Sequence, residues 1–314
     1  TYNGSAQSGL TTYTQSGLLG SDTISGFVTN TAATGTNVGT YTGSISGATG
    51  TGLSNYTITY NAGSLVIGKA NLSVTQGSSN LTYNGSAQSG LTTYTSSGLL
   101  GSDTITGFAT NTAGSGTSVG TYTGAISGAT GTGLSNYTIS YNVGSLVTGK
   151  AALTITGGTT STSFNNTTRT NTYSITSGQL FGSDLISSVS GLASGLHANT
   201  YNDSGLSASG TGLSNYTITY VPGSLTINPA TLTAAITPNV ATYNGTNVLA
   251  NTTVLTGVIN GTTISGTTAL IINGTNVGTK TITNNGTTLS GANAGDYVIA
   301  SSSILNNGGS GAAN

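Results

Sequence analysis

The segment NYTITY at Asn55 alternates Tyr56, Ile58 and Tyr60 with Thr57 and Thr59. This is the period-two pattern of a half-buried strand, with the aromatic and aliphatic side chains expected to face inward and the threonines outward. The segment returns as NYTISY at Asn136 and NYTITY at Asn215. Behind it the chain reads NAG, NVG or VPG, and Pro222-Gly223 suits the two central positions of a type II turn. A hairpin is therefore expected, with SLVI from Ser64, SLVT from Ser145 or SLTI from Ser224 as its return arm. Each arm passes through GKA, GKA or NPA into a further apolar alternation, NLSV, ALTI or TLTA. With only about two to four linking residues, that passage predicts a stiff junction between structural units.

The units are copies of one another. TYNGSAQSGLTTYT begins at Thr1 and again at Thr82, a step of 81 residues, and SDTI at Ser21 recurs at Ser102 and, as SDLI, at Ser183. GLSNYTI begins at Gly52, Gly133 and Gly212, so a two-residue deletion lies between Ser183 and Gly212. A more distant fourth copy keeps the order TYNGT at Thr242, NGTTI at Asn260, NVGT at Asn276 and GDYVI at Gly295. Four units follow: residues 1–68, 69–149, 150–228 and 229–314, the last with a Gly/Ser/Asn-rich tail. A period near 80 exceeds the roughly 20 to 50 residues of solenoid repeats, so each unit is expected to carry its own core. The predicted fold is all-β: a tandem array of small β-rich domains, sandwich or β-grasp-like, in an elongated rod. Residues 69–81 and 150–163 open the second and third units with strand-like stretches that the first unit, starting at Thr1, does not have. Either the chain is an excerpt from a longer array, or a neighbouring molecule supplies the missing edge strand by strand addition.

Composition narrows the function classes. Charged residues are 3% of the chain, against a usual ~25%, and the net charge is −1. No basic patch exists to hold nucleic acid, and no apolar run approaches the ~18 to 20 residues that a membrane-spanning helix needs, so neither nucleic-acid binding nor membrane insertion is expected. Cys and Met are absent, which suits an oxidising, extracellular setting. No secretory leader opens the chain, which reads as mature protein or as part of a longer one.

The junctions such as SLTINPATLTA, the YNG turn, SDTISG, VGTYTG and GLSNYTITY resemble the MBG-type repeats of large bacterial secreted proteins, and the fourth unit, with TYNGT, NVGT and LSGANAGDYVI, is similar to the related YDG-type repeats. The resemblance covers most of the chain. It implies a stalk or adhesin segment of a filamentous-haemagglutinin-like or other giant surface protein, without enzymatic activity. Where such repeats usually carry an acidic residue, this chain has Asn3, Asn84 and Asn244, and its third unit reads Phe164-Asn165-Asn166.

Candidate chemistry is sparse: one His, no Cys, no Glu and five Asp. Asp22, Asp103 and Asp184 are equivalent, one per unit, so they form no carboxylate pair within a unit, and a lone carboxylate is too little for Ca²⁺. Their expected role is an Asx-turn or short-helix cap. His197 is expected in a surface turn, and a Ser-His-Asp reading with Asp203 lacks a nucleophile-elbow motif. Lys69 and Lys150 read as solvated junction residues, because a Lys–Asn crosslink needs a buried carboxylic acid nearby, usually Glu. No metal site and no cofactor are expected. Recurrent tyrosines, among them Tyr56, Tyr137 and Tyr216, are expected in sheet packing with hydroxyls at the rim. Tyr13, Tyr94, Tyr41 and Tyr122 are the candidates for contact with glycans or surfaces, and Asn3, Asn84 and Asn244 are candidate glycosylation sites in Asn-x-Ser/Thr triplets. Threonine pairs suited to ice or mineral recur only once per unit, too sparsely for a flat array. The expected partners are other copies or neighbouring repeats of a longer chain, glycans or abiotic surfaces. The leading reading is a structural repeat segment of an extracellular adhesin or filament, polymerisation by strand addition being one route to assembly. The alternative is a glycan-binding module using exposed Tyr, Asn and Thr.

Overall fold

A computed structural model describes residues 1–239, 245–276 and 280–304. The fold is all-β: strands, with four single-turn 3-10 helices among the described residues. The chain divides into two compact units, Thr1–Lys150 and Ala151–Asn314.

In the first unit, the repeat that follows residue 68 is organised around the strand Ala70–Gln76. It pairs antiparallel with Tyr94–Ser97 and parallel with Tyr137–Asn142, so it is the middle strand of its sheet. Ala70, Leu72, Val74 and Gln76 point inward and are buried, while Asn71 and Thr75 face solvent. After Gly77 and Ser78 the chain enters a second sheet as Ser79–Thr82, parallel to Ser145–Gly149, which in turn pairs antiparallel with Gly120–Thr123. A ribbon of Thr104–Thr112 and Ala125–Thr132, bulged between Ile105 and Gly107, closes the third side and delivers Ile126 to the core. Burial of these β-branched and aliphatic rows is the main favourable term for such small sheets.

Two expectations change here. The opening stretch of the repeat is a central strand, not an edge, and it is shared between two sheets. The segments NYTISY and SLVT do not form a hairpin: Tyr137–Asn142 lies in one sheet and Ser145–Gly149 in the other. The intervening glycine carries the chain across the core gap, since a Cβ on Gly144 would lie 2.0 Å from the Gly77 carbonyl oxygen. Its counterpart Gly223 is as close to Gly158 and is not among the glycines with positive φ, so Pro222-Gly223 does not make a type II turn.

The first repeat has the same outer parts. Thr23–Thr31 pairs with Ser44–Thr51, Gly39–Thr42 with Ser64–Ile67, and Gln7–Ser8 with Thr34–Gly35. Residues 13–16 and 56–61, whose counterparts flank the middle strand in the next repeat, are not in strands.

The second unit contains the pattern twice. Ala151–Gly157 runs between Tyr173–Ser177 and Tyr216–Val221, and Ser224–Asn228 between Thr159–Ser163 and Asn199–Asn202. The two-residue deletion falls in the ribbon, where Leu185–Ser190 and Ser207–Thr211 are shorter than their counterparts. In the last repeat Ala230–Pro238 is the middle strand between Asn251–Thr256 and Tyr297–Ile304, beside the sheet Val248–Leu249, Ser265–Ile272 and Ile282–Ser290. Leu153, Ile155, Leu232, Ala234, Ile236 and Leu270 are sealed from solvent in these cores.

Candidate functional site

No sequence motif announces a catalytic centre, and the densest buried polar chemistry lies where consecutive repeats meet within each unit. In the first unit Gly133, at φ 71°, turns the chain into a single-turn helix, Leu134–Asn136, that sets the next two side chains. A Cβ at this glycine would clash with the Asp103 carboxylate and would need the left-handed conformation that Gly adopts at least cost. Tyr137 follows, its hydroxyl donating to Asp103 Oδ2 at 2.7 Å and accepting from the Leu100 N–H at 2.8 Å. From the preceding repeat, Tyr2 donates to the same Oδ2 at 2.7 Å, and the two rings meet edge to face at 5.5 Å. One carboxylate oxygen thus holds two hydroxyls from two repeats, by charge-assisted bonds that are stronger than neutral ones. Burial, with Asp103 as acceptor, pushes the Tyr137 hydroxyl up to about 12.

The other residue placed by this turn is Asn136, which is buried. Its Oδ1 accepts from the Val38 N–H at 2.9 Å, and its Nδ2 donates to Asn37 Oδ1 at 3.1 Å. Around these bonds Tyr2 and Ile67 of the first repeat share one core with Leu72, Val74, Ile126 and Tyr137 of the second.

In the second unit the same positions are refilled with different chemistry. Phe164 stands where the first repeat has Tyr2, and Thr262 where the second has Asp103. With no hydroxyl arriving from Phe164, no carboxylate is needed. Phe164 packs edge to face on Tyr297 at 5.6 Å, and Tyr297 bonds Thr262 Oγ1 at 2.8 Å. The Asn37 and Asn136 pair becomes His197 and Asp296: Asp296 Oδ1 accepts from the Ala198 N–H at 2.7 Å, and Oδ2 lies 2.9 Å from His197 Nδ1. Burial alone would raise the Asp296 carboxyl, but bonds from Asn293, His197 and Ala198 outweigh it and hold the group below its ordinary value. Asn166, at φ 58°, takes the left-handed position that Gly4 and Gly85 hold in the other copies.

A second buried polar cluster lies inside the repeats. Gln76 ends the inward row of its strand, donating to Asn111 Oδ1, Thr112 O and Ala125 O and accepting from the Gly144 N–H. In the third repeat Gly157 replaces Gln76, and Asp203, grown from the position of Gly124, fills the space from the other side. Asp203 accepts from Asn171 Nδ2, the Ala193 N–H and the Gly223 N–H. Burial would raise this carboxyl, and those three donors bring it below its ordinary value.

The sequence-predicted residues take these places. Asp22 and Asp184, like Asp103, accept a tyrosine hydroxyl from their own repeat, Tyr56 at 2.7 Å and Tyr216 at 2.8 Å. The Asx-turn and cap reading is therefore replaced. The hydroxyls of these tyrosines are part of the core contacts rather than its rim. His197 is exposed but pairs with Asp296, whereas Asp203 belongs to the buried cluster. Lys69 and Lys150 are exposed. Tyr13 and Tyr94 are 42% and 38% exposed, each edge-on to a phenylalanine, Phe27 or Phe108. Tyr41 and Tyr122 are half-buried, their rings over Gly35 and Gly116 and their hydroxyls on the carbonyls of Asn37 and Ser118. Asn3 and Asn84 are exposed, each accepting a backbone bond two residues on, from Ser5 and Ser86, in an Asx-turn. Asn244 lies outside the described residues.

Residues 1–66 and 72–147 match the MBG domain (YGX type), and residues 228–304 match the YDG domain. These stretches are MBG- and YDG-type repeats. No curated protein and no solved structure gives a match.

Two expected outcomes follow from the paired substitutions. Asp103→Thr alone leaves the Tyr2 and Tyr137 hydroxyls short of their acceptor and should cost about 1–3 kcal/mol in denaturant unfolding. Adding Tyr2→Phe should recover part of that loss, because the double variant rebuilds the Phe164 and Thr262 combination. Additive losses would show that the two positions are not coupled. Acidification tests the second unit. Its carboxyls Asp203 and Asp296 are depressed when folded, so their contribution is complete above the ordinary value near ~4 and is lost as pH falls through it towards the folded values. Asp203→Asn and Asp296→Asn should each flatten the dependence of unfolding free energy on pH between about 5 and 2, as measured by urea titrations across that range.

Proposed function

We propose that these MBG- and YDG-type repeats form a structural segment of an extracellular bacterial adhesin or filament, with no catalytic role. The observation that carries the reading is the fusion of successive repeats through a common core. Tyr2 and Ile67 pack with Leu72, Val74, Ile126 and Tyr137 across a repeat boundary, and Asp103 ties hydroxyls from both sides. Within each unit, repeats joined this way resist bending and separation at their shared boundary, as a scaffold under tension requires, whereas a flexible tether would let its domains move apart. The near absence of charge lets neighbouring molecules approach with little salt-dependent repulsion. The partially exposed rings of Tyr13, Tyr94 and Tyr173 support a second reading, glycan binding, in which an aromatic face stacks on a sugar.

On the scaffold reading, antibodies against the chain label intact, unpermeabilised source cells, and deleting the gene reduces attachment to surfaces or to other cells. Labelling that requires permeabilisation, with attachment unchanged, would overturn it. Glycan-array binding that is lost on Tyr94→Ala would shift the reading to the second function.

A further inference from the structure

Asn-Gly pairs occur at Asn3, Asn84, Asn244, Asn260, Asn273, Asn285 and Asn307, and all but Asn244 and Asn307 lie among the described residues. An asparagine in this position is self-reactive, because the glycine nitrogen, with no side chain beside it, can attack the preceding carboxamide carbon. The five described asparagines are all exposed, so sequence and exposure alone would rank them equal. We propose that Asn3, Asn84 and Asn260 are sites of self-catalysed deamidation in the folded protein, and that the fold withholds Asn273 and Asn285 from the same reaction.

The glycine nitrogens carry the distinction. Gly274 N–H donates to the Ile272 carbonyl at 3.0 Å, and Gly286 N–H, within the strand Ile282–Ser290, donates to Asn284 Oδ1 at 2.9 Å. The N–H groups of Gly4, Gly85 and Gly261 lie outside strands and meet no acceptor among the described residues. To react, the nitrogen must release its proton, and an N–H already held by an acceptor is costlier to free. The carboxamides do not draw the same line. Oδ1 of Asn84 and Oδ1 of Asn273 each accept a backbone N–H, from Ser86 at 3.0 Å and from Thr281 at 2.7 Å.

The reaction needs nothing but water. At Asn84, the Gly85 nitrogen bonds to Cγ as its proton passes to solvent, the bond from Cγ to Nδ2 breaks, and Nδ2 leaves as ammonia. The product is a cyclic imide. Water then adds to one of its two carbonyls and splits that carbon from the nitrogen. Opening at the side-chain carbonyl gives aspartate, and opening at the main-chain carbonyl gives isoaspartate. The net change replaces NH2 by OH, with ammonia released and one water consumed.

Each conversion adds a carboxylate to a chain whose net charge is −1. Aspartate at position 84 keeps its turn, since it accepts the Ser86 N–H as Asn84 does, now in a charge-assisted bond. Isoaspartate instead lengthens the main chain by one methylene. At Asn3 it does so beside Tyr2, whose hydroxyl reaches Asp103 across the repeat boundary. At Asn260 it displaces a carbonyl that accepts from Asn166 Nδ2 of the preceding repeat at 3.3 Å. On the scaffold reading, the charge gained with age raises the repulsion between neighbouring molecules. The chemistry itself does not depend on where the protein works, so a negative surface-labelling result would leave it standing.

The test incubates the full, folded chain in mildly alkaline buffer and follows each Asn-Gly site by peptide mapping, with fragmentation that separates aspartate from isoaspartate. Peptides holding Asn3, Asn84 and Asn260 should each gain about 1 Da, the mass of the amide-to-acid change. Their rates should exceed those at Asn273 and Asn285 about five- to tenfold, the factor for one hydrogen bond that must be given up. A parallel incubation in concentrated urea removes the fold and keeps the sequence. There the five rates should converge, because the residue after each asparagine is the same. Equal rates at all five sites in the folded chain, the folded ranking persisting in urea, or no conversion at any one of Asn3, Asn84 and Asn260 would each overturn the proposal.

Discussion

In the second, third and fourth repeats one middle strand orders the strands beside it. Ala70–Gln76 is laddered on both edges, buries every second side chain and continues after a two-residue bend into the second sheet. It therefore supplies the inward row of one sheet and an edge of the other. The strand is also where one repeat is joined to the one before, because Leu72 and Val74 share a core with Tyr2 and Ile67. Ala151–Gly157 and Ala230–Pro238 are likewise laddered on both edges within the second unit.

The buried polar groups make the apolar contacts specific. Hydrophobic burial alone tolerates slippage, whereas a carboxylate that must meet two hydroxyls, or a carboxamide with four partners, is satisfied in only one arrangement. The substitutions between repeats obey that constraint. Tyr2 with Asp103 becomes Phe164 with Thr262, Asn37 with Asn136 becomes His197 with Asp296, and Gln76 opposite Gly124 becomes Gly157 opposite Asp203. In each case a change on one side is matched by a change on the other.

Much of this was legible in the sequence. The alternation read at Tyr56, Ile58 and Tyr60 forms no strand in the first repeat, but its copies at Tyr137 and Tyr216 are strands in which the inward tyrosine is buried and the threonine after it exposed. The supposed hairpin failed because two strands adjacent in sequence were taken to pair, whereas Gly144 and Gly223 cross between sheets, and their closeness to Gly77 and Gly158 is a tertiary fact with no local signature. Asp103 was read as a turn residue because its partner Tyr2 is 101 positions away. A signal did exist: comparing the repeats position by position shows that Tyr and Asp are lost together in the Phe164 and Thr262 combination. His197 could have been paired with Asp296 in the same way.

The account's central claim is that the middle strand, rather than local sequence, orders its neighbours. Hydrogen exchange on the full chain, followed by mass spectrometry, tests it with an internal control, since NYTITY at Asn55 and NYTISY at Asn136 differ at a single residue. Strong protection across 137–142 beside rapid exchange across 56–61 is the predicted result. Equal protection of the two segments would contradict the account.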